Sequence, residues 1–133
     1  MPVIVLVEDN VDALESLGTL LELDLRDGLC KKFQDGPDFL RWWEQPYNQA
    51  DLYIFGVGLP SVSGLDLISI VRSQDRDTPI VMCSGQSDRA TVDKALARGA
   101  NRYYVKPVTW DEFVRDLEDL LTNQQPRLGT DVE

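Results

Sequence analysis

Histidine is absent from all 133 residues of the chain, and its absence excludes several kinds of chemistry. No imidazole is available to act as a general base, to ligate a metal or to carry a phosphoryl group. Hydrolases that pair serine with histidine, and zinc enzymes with histidine ligands, are therefore excluded.

Cysteine is scarce, and long apolar runs are missing. Cys30 and Cys83 lie in separate apolar segments and not at the short spacing of a metal-binding pair. We expect both to be reduced thiols in the core of a cytoplasmic protein. No apolar run approaches the roughly 20 residues of a membrane-spanning helix, and the first residues do not have the pattern of a signal peptide. We therefore expect no association with a membrane.

Positive charge is also in short supply. The chain has 13 Lys and Arg against 23 Asp and Glu, which gives a formal net charge of -10. An acidic surface repels phosphate backbones, so we expect no direct binding to nucleic acid. The length and the 43% hydrophobic content suit one compact domain.

Short apolar runs alternate with segments of helical periodicity. The pattern predicts strands over 3–7, 28–33, 51–55, 79–83 and 103–105, and helices over 11–25, 37–43, 64–72, 90–98 and 111–121. Such alternation predicts a doubly wound α/β domain with a five-stranded parallel sheet, because parallel strands need right-handed helical crossovers. We assign this domain to residues 1–121. Residues 122–133 are polar and aperiodic, which indicates a flexible tail or the start of a linker.

Polar residues stand where several predicted strands end. They are Glu8 and Asp9 after the first strand, Ser84 after the fourth, where Gly85 follows it, and Lys106 after the fifth. Ligands of open parallel sheets bind beyond the carboxyl ends of the strands, where the strand order reverses. Carboxylates, a hydroxyl and an ammonium suit a divalent cation with an anion beside it. Each residue alone is also typical of a helix cap, a turn or a solvated charge, but their convergence on one edge favours a site.

Several segments make the chain resemble the receiver domain of two-component response regulators from about Val3 to Leu121. They are VLVEDN at 5–10, GLPSVSGL at 58–65, PIVMCSG at 79–85, GA at 99–100 before Tyr103, and KP at 106–107. The resemblance implies the flavodoxin-like (βα)5 fold of that family. It also implies a cis peptide bond between Lys106 and Pro107.

In that family an Asp at the end of the third strand accepts a phosphoryl group from a phosphohistidine kinase. An acidic pair, that Asp and a backbone carbonyl hold Mg²⁺. Gly56 stands at the position of the acceptor Asp. By the same resemblance, Glu8 and Asp9 form the metal pair, and Gly58 supplies the carbonyl.

The resemblance assigns three further roles. Ser84 is the switch hydroxyl, which hydrogen-bonds a phosphoryl oxygen. Lys106 pairs with the phosphoryl group, and Tyr103 is the switch aromatic.

Gly56 has no side chain, so no acyl phosphate can form there and Mg²⁺ loses one ligand. We expect a regulatory domain that acts through protein-protein contacts, is not an enzyme, and binds Mg²⁺ more weakly than its relatives. Loss of a carboxylate from an acidic pocket is also expected to stabilise the domain locally.

Alternatives to this interpretation remain open at this point. The chain can be an acceptor-dead variant of a His-Asp phosphorelay receiver, with Gly56 natural or engineered, or Glu8 or Asp9 can replace the acceptor. Gly56 can instead be a strand-end turn that needs a positive φ. A flavodoxin-like binder of a small molecule or nucleotide is more distant, because no Gly-rich phosphate loop follows the first strand.

The resemblance implies a sensor histidine kinase or another signalling protein as partner, and an output domain after residue 133. A homodimer is a further possibility, although Asn101, Arg102 and the acidic last helix do not reproduce the dimer-face charges of winged-helix regulators. The acidic face of that helix is typical of a solvated surface. The three tryptophans, Trp42, Trp43 and Trp110, are expected to pack against the core.

Overall fold

The computed structural model describes residues 1–25 and 27–122 of the chain. Over these residues, five parallel strands form one sheet: β1 (Val3–Val7), β2 (Leu29–Phe33), β3 (Leu52–Phe55), β4 (Ile80–Ser84) and β5 (Arg102–Val105). Each strand is followed by a helix: α1 (Val11–Asp24), α2 (Gly36–Trp43), α3 (Gly64–Arg72), α4 (Arg89–Arg98) and α5 (Trp110–Thr122). The predicted doubly wound α/β fold is confirmed. The predicted tail or linker beyond Thr122 lies outside the described residues.

The strand order of the sheet is β2-β1-β3-β4-β5. The chain moves from β1 to β2 in one direction and from β3 to β5 in the other, so the order reverses between β1 and β3. In the register of the sheet, Val7 at the end of β1 lies opposite Phe33 on one side and Phe55 on the other. The residues that follow these strand ends therefore meet at one edge, beside the point of reversal.

Local side chains set where the helices begin. The side-chain oxygens of four N-cap residues accept a hydrogen bond from a backbone N–H three residues further on: Asn10, Asp35, Ser63 and Asp88. Pro37 occupies the first turn of α2, where its missing N–H costs no helical hydrogen bond. Gly99 ends α4 with a φ of 119°, a left-handed conformation that favours glycine.

Successive residues of the strands bury their side chains in two different apolar clusters. Val5, Val7 and Phe55 belong to the first cluster, whereas Ile4 and Leu6 belong to the second. Since side chains alternate across a strand, the two clusters lie on opposite faces of the sheet. The first contains residues of α2, α3 and α4, and the second contains residues of α1 and α5. None of the helices in the described residues has the length and apolarity needed to cross a membrane.

The predicted packing of the tryptophans against the core and the predicted burial of both cysteines are confirmed. Trp42 and Trp43 pack against the first cluster and Trp110 against the second. Cys30 and Cys83 are buried free thiols. Burial raises the pKa of Cys30 to about 12, so this thiol stays protonated at neutral pH.

Candidate functional site

A cavity of about 220 Å³ opens at the carboxyl edge of the sheet. The ends of β1, β3 and β4 and the start of the loop after β5 enclose it. Every site residue predicted from the sequence except Tyr103 lines the cavity: Glu8, Asp9, Gly56, Gly58, Ser84 and Lys106. The convergence of these residues on one edge is therefore a feature of the folded molecule.

Glu8 is the buried charge of this cavity, with only 6% of its surface exposed. Its Oε1 accepts a hydrogen bond from Lys106 Nζ at 2.6 Å, and its Oε2 accepts one from the backbone N–H of Asn10 at 3.0 Å. Burial alone raises the pKa of the Glu8 carboxyl, but the bonds from Lys106 and Asn10 outweigh burial and bring the pKa below its usual value. Glu8 is therefore ionised at neutral pH, and the Lys106 ammonium balances its negative charge.

The oxygen atoms around the cavity suit a hard cation such as Mg²⁺. Glu8 and Asp9 offer carboxylates, and Gly58 offers a backbone carbonyl; Asp9 and Gly58 are both exposed. Within residues 1–25 and 27–122, no three acidic or thiol side chains lie close enough together to hold a metal ion. These donors fit Mg²⁺ only if water supplies much of the coordination shell, which Mg²⁺ tolerates.

Gly56 lies at the end of β3 in an ordinary backbone conformation. Its N–H donates to the Val7 carbonyl at 3.0 Å, and its φ lies outside the left-handed range that favours glycine. A Cβ built at position 56 would lie 3.4 Å from Leu59 Cδ2 and 3.7 Å from the Val7 oxygen, which are ordinary contacts. The alternative interpretation of Gly56 as a turn that needs a positive φ is therefore wrong. The position has room for a side chain.

Gly64, the first residue of α3, packs directly against the backbone at position 56. Its N–H donates to the Val57 carbonyl at 2.8 Å. A Cβ built on Gly64 would lie only 1.7 Å from the Gly56 carbonyl oxygen, which no structure tolerates without movement. The start of α3 thereby fixes the position of the loop that carries Gly56.

The loop between β4 and α4 is held by Ser84 and Tyr103. The hydroxyl oxygen of buried Ser84 accepts a hydrogen bond from the Gln86 N–H at 3.1 Å, and the Tyr103 hydroxyl donates to the Gln86 carbonyl at 2.7 Å. Burial raises the pKa of Tyr103, and interaction with the Ser84 side chain offsets part of that rise. Both residues predicted as switch residues thus contact one further residue, Gln86.

Gln86, which none of the sequence motifs indicated, also lines the cavity. The only signal in the sequence is its place two residues after Ser84, at the same strand end. The predicted cis peptide bond between Lys106 and Pro107 is present.

The family model for the response regulator receiver domain matches residues 4–118. The chain belongs to this family, whose members are regulatory domains of two-component signal transduction and not enzymes. The resemblance drawn from the sequence motifs is therefore confirmed at the level of the family.

Two curated proteins illustrate the relationship. The two-component response regulator PhoP of Pseudomonas aeruginosa is 35% identical over 83 residues, which cover 62% of this chain and 37% of that protein. The two-component response regulator-like APRR5 of Arabidopsis thaliana is 34% identical over 100 residues, which cover 71% of this chain and 18% of that protein. The chain thus spans less than half the length of either relative.

Solved receiver domains share the fold. A CheY-like receiver domain of Methanospirillum hungatei superposes with a TM-score of 0.85 at 21% identity, over 93% of this chain and 96% of that one. The receiver domain of a sensor histidine kinase of Pseudomonas aeruginosa gives 0.80 at 24% identity, over 91% of this chain and 98% of that one. That structure has a magnesium ion coordinated in its active site cleft.

Proposed function

We propose that this receiver domain regulates its pathway through protein contacts and is not phosphorylated at the usual site, because Gly56 stands at the acceptor position. The observation that carries the proposal is the absence of a side chain at position 56, on the wall of a cavity lined by Glu8, Asp9, Ser84 and Lys106. A Cβ fits at position 56, but glycine offers no carboxylate there. Without that carboxylate, no acyl phosphate forms.

The remaining residues keep the roles that the family resemblance implies. Glu8, Asp9 and the Gly58 carbonyl would hold Mg²⁺, more weakly than a site with three carboxylates. When bound, the ion would offset negative charge beside Ser84 and Lys106. Mg²⁺ occupancy or a protein partner, and not phosphorylation, then sets the conformation of the domain.

Features of α4 and β5 support regulation by contact. The Tyr103 hydroxyl donates a hydrogen bond to the Gln86 carbonyl at 2.7 Å and so attaches β5 to the loop between β4 and α4. Leu96 on α4 is 45% exposed and Val105 on β5 is 42% exposed, so both offer apolar surface to a partner. The partner is a sensor histidine kinase or another cytoplasmic signalling protein, an output domain after residue 133, or a second copy of the domain.

The proposal is tested by incubating the chain and its Gly56→Asp variant with Mg²⁺ and acetyl phosphate and measuring intact mass. We expect the Gly56→Asp variant to gain one phosphoryl group and the unaltered chain to gain none. A Cβ at position 56 meets only ordinary contacts, so the variant is expected to fold.

Gly85→Asp is a matched control, because Gly85 lines the same cavity and a Cβ built there meets no atom within 4 Å. It adds the same carboxylate at the wrong strand end and is expected to gain no phosphoryl group. Phosphorylation of the unaltered chain would refute the proposal and reveal another acceptor, with Glu8 and Asp9 as the first candidates. Phosphorylation of neither Gly56→Asp nor the unaltered chain would show that the remaining site serves binding alone.

If the chain is instead an acceptor-dead variant of a phosphorelay receiver, the same result is expected for Gly56→Asp. The two hypotheses differ in the cell, where the parent protein of such a variant would carry Asp at position 56 and respond to its kinase. The binder of a small molecule or nucleotide is disfavoured, because the cavity of about 220 Å³ is smaller than typical ligand pockets and two of its three charged residues are acidic. A flavin absorbance in the purified protein would support that alternative.

A further inference from the structure

A second cavity, of about 450 Å³, opens at the opposite edge of the sheet, where the strands begin. It lies between the loop that leads from α2 into β3 and the loop that leads from α3 into β4. Its volume is within the range of about 300 to 1,000 Å³ that is typical of sites for small ligands. None of the residues that line it also lines the cavity at Gly56. The second cavity is therefore separate from the site described above.

The charged residues that line the second cavity are acidic. Glu44 and Asp75 line it, and no Lys or Arg among the described residues does so. The guanidinium of Arg72, beside Asp75, donates to three backbone carbonyls and to the side chain of Asn101, so the protein itself uses its hydrogen-bonding groups. A phosphate or carboxylate ligand would find no counterion here. The lining therefore favours a cationic ligand.

Four exposed side chains around the second cavity offer oxygen acceptors to a ligand. They are Glu44, Gln45, Gln49 and Gln74. None of the four side chains is hydrogen-bonded to another residue in the part of the chain that the structure describes. Asp75 differs, because its carboxylate already accepts bonds from two backbone N–H groups and a hydroxyl of its own loop. Asp75 thus supplies charge, and the other four supply hydrogen-bonding groups.

The ring of Trp43 forms one wall of the second cavity and is held in place. Its Nε1 donates to the hydroxyl of buried Tyr53 at 3.0 Å, and its ring centroid lies 6.2 Å from that of Phe39. A cation near the face of a tryptophan ring is attracted by the negative charge of the π system. Because the ring is already fixed, a ligand does not have to order it on binding.

We propose that the second cavity binds a guanidinium group, which belongs either to a small free molecule or to an arginine side chain of another protein. A guanidinium is planar and positively charged, and it has five N–H donors and no acceptor. It therefore matches the aromatic wall, the two carboxylates and the amide oxygens at once. An ammonium group has the charge but not the planar shape that stacks on an aromatic ring. The proposal does not depend on the residue at position 56.

Titration of the full chain with N-acetylargininamide, followed by two-dimensional ¹H–¹⁵N NMR, tests the proposal. We expect the indole N–H of Trp43 and the side-chain amides of Gln45 and Gln74 to shift in a saturable way, with a Kd of order 1 mM. N-acetylcitrullinamide replaces the guanidinium by an uncharged group of nearly the same shape and is expected to bind at least about tenfold more weakly. The absence of shifts at about 20 mM N-acetylargininamide, or equal affinities for the two probes, would overturn the proposal.

A pair of matched variants separates the second cavity from the general acidity of the chain. Glu44→Gln removes one carboxylate from the lining and is expected to weaken binding of N-acetylargininamide about threefold, as suits an exposed charge pair. Glu112→Gln removes the same charge from an exposed position on α5 that does not line the cavity, and is expected to leave the affinity almost unchanged. Both positions are exposed, so both variants are expected to fold. Equal losses in the two variants, or no loss in Glu44→Gln, would contradict the proposal.

A short peptide distinguishes the two sources of the guanidinium group. If an acetylated glycine-arginine-glycine amide shifts the same signals at lower concentration than N-acetylargininamide, the site accepts an arginine side chain of another protein. If the peptide binds more weakly, the site accepts a small free molecule. None of these outcomes depends on whether Gly56→Asp is phosphorylated, so this proposal and the proposed function fail separately.

Discussion

At the scale of single residues, two glycines that touch each other differ sharply in their tolerance for a side chain. A Cβ at Gly56 would make only ordinary van der Waals contacts, whereas a Cβ on Gly64 would overlap the Gly56 carbonyl. The lack of a side chain is therefore required for packing at position 64 and not at position 56. The glycine at position 56 therefore affects the chemistry of the cavity, whereas the glycine at position 64 is needed for packing.

Gly64→Ala is expected to destabilise the domain by about 3 kcal/mol, because the new methyl group forces the loop after β3 to move. Gly85→Ala is the matched control. Its Cβ meets no atom within 4 Å, and its free energy of unfolding should change by less than about 1 kcal/mol. Urea unfolding measures both. Equal effects in the two variants would show that the close approach of Gly64 to Gly56 does not limit the fold.

The contacts of individual side chains were the part that the sequence could not predict. The motifs placed Lys106 and Tyr103 at the site, but they did not show that Lys106 binds Glu8 or that Tyr103 binds the Gln86 carbonyl. Whether two such side chains form a hydrogen bond depends on their relative position to within a few tenths of an ångström, and the residues lie far apart in the chain. The hydrogen-bonding roles that the family resemblance assigns to Ser84 and Lys106 stay predictions.

At the scale of the elements, the predicted boundaries differ from the structure by about one residue. α3 begins at Gly64 and ends at Arg72, as predicted, and the structure shows Ser63 as its N-cap. β3 begins at Leu52 and not at Asp51, whose side chain accepts a hydrogen bond from the Val3 N–H and whose own N–H donates to the Val3 carbonyl. β4 extends to Ser84, whose carbonyl accepts a bond from the Lys106 N–H. Hydrophobic period locates an element, whereas hydrogen bonds to neighbouring strands decide its last residue.

Phe39 anchors α2 to the sheet. It is fully buried, and its ring centroid lies 5.4 Å from that of Phe55 and 5.8 Å from that of Tyr53, both on β3. Phe39→Ala is expected to lower the free energy of unfolding by about 3 to 5 kcal/mol, because it leaves a cavity among aromatic rings. Chemical denaturation followed by tryptophan fluorescence measures the loss.

The control for Phe39→Ala is Leu23→Ala on α1, where the side chain is 73% exposed. Its effect should stay within about 0.5 kcal/mol. A small effect of Phe39→Ala would mean that α2 is not held by its aromatic contacts.

At the scale of the whole molecule, the acidic composition makes stability sensitive to low pH. The Asp75 carboxylate accepts hydrogen bonds from the backbone N–H groups of Asp77 and Thr78 and from the Thr78 hydroxyl. Burial alone raises the pKa of Asp75, but the bonds from Thr78 and Asp77 outweigh it and hold the pKa below its usual value. The stability from this carboxylate is therefore complete above its unfolded pKa, near 4, and is lost as the pH falls through the lower folded value.

Asp75→Asn is expected to lower the free energy of unfolding by about 1 to 2 kcal/mol at pH 7, because hydrogen bonds to a charged acceptor are stronger than those to a neutral one. The difference between the variant and the unaltered chain should shrink as the pH falls below 4. Urea unfolding across the acid range measures this difference. A gap that stays constant down to pH 2 would show that the charge on Asp75 does not contribute.

The ion pair between Lys106 and Glu8 also has a consequence for the order of folding. It joins residues 98 positions apart, and three strand pairings, β1 with β3, β3 with β4 and β4 with β5, lie between them. Contacts of such long sequence separation form only after the entropy of closing the intervening chain has been lost. The cavity is therefore completed late. During synthesis, Glu8 has no Lys106 to pair with until the residues after β5 have left the ribosome. The strands β1 and β3 are therefore synthesised before the cavity can be completed.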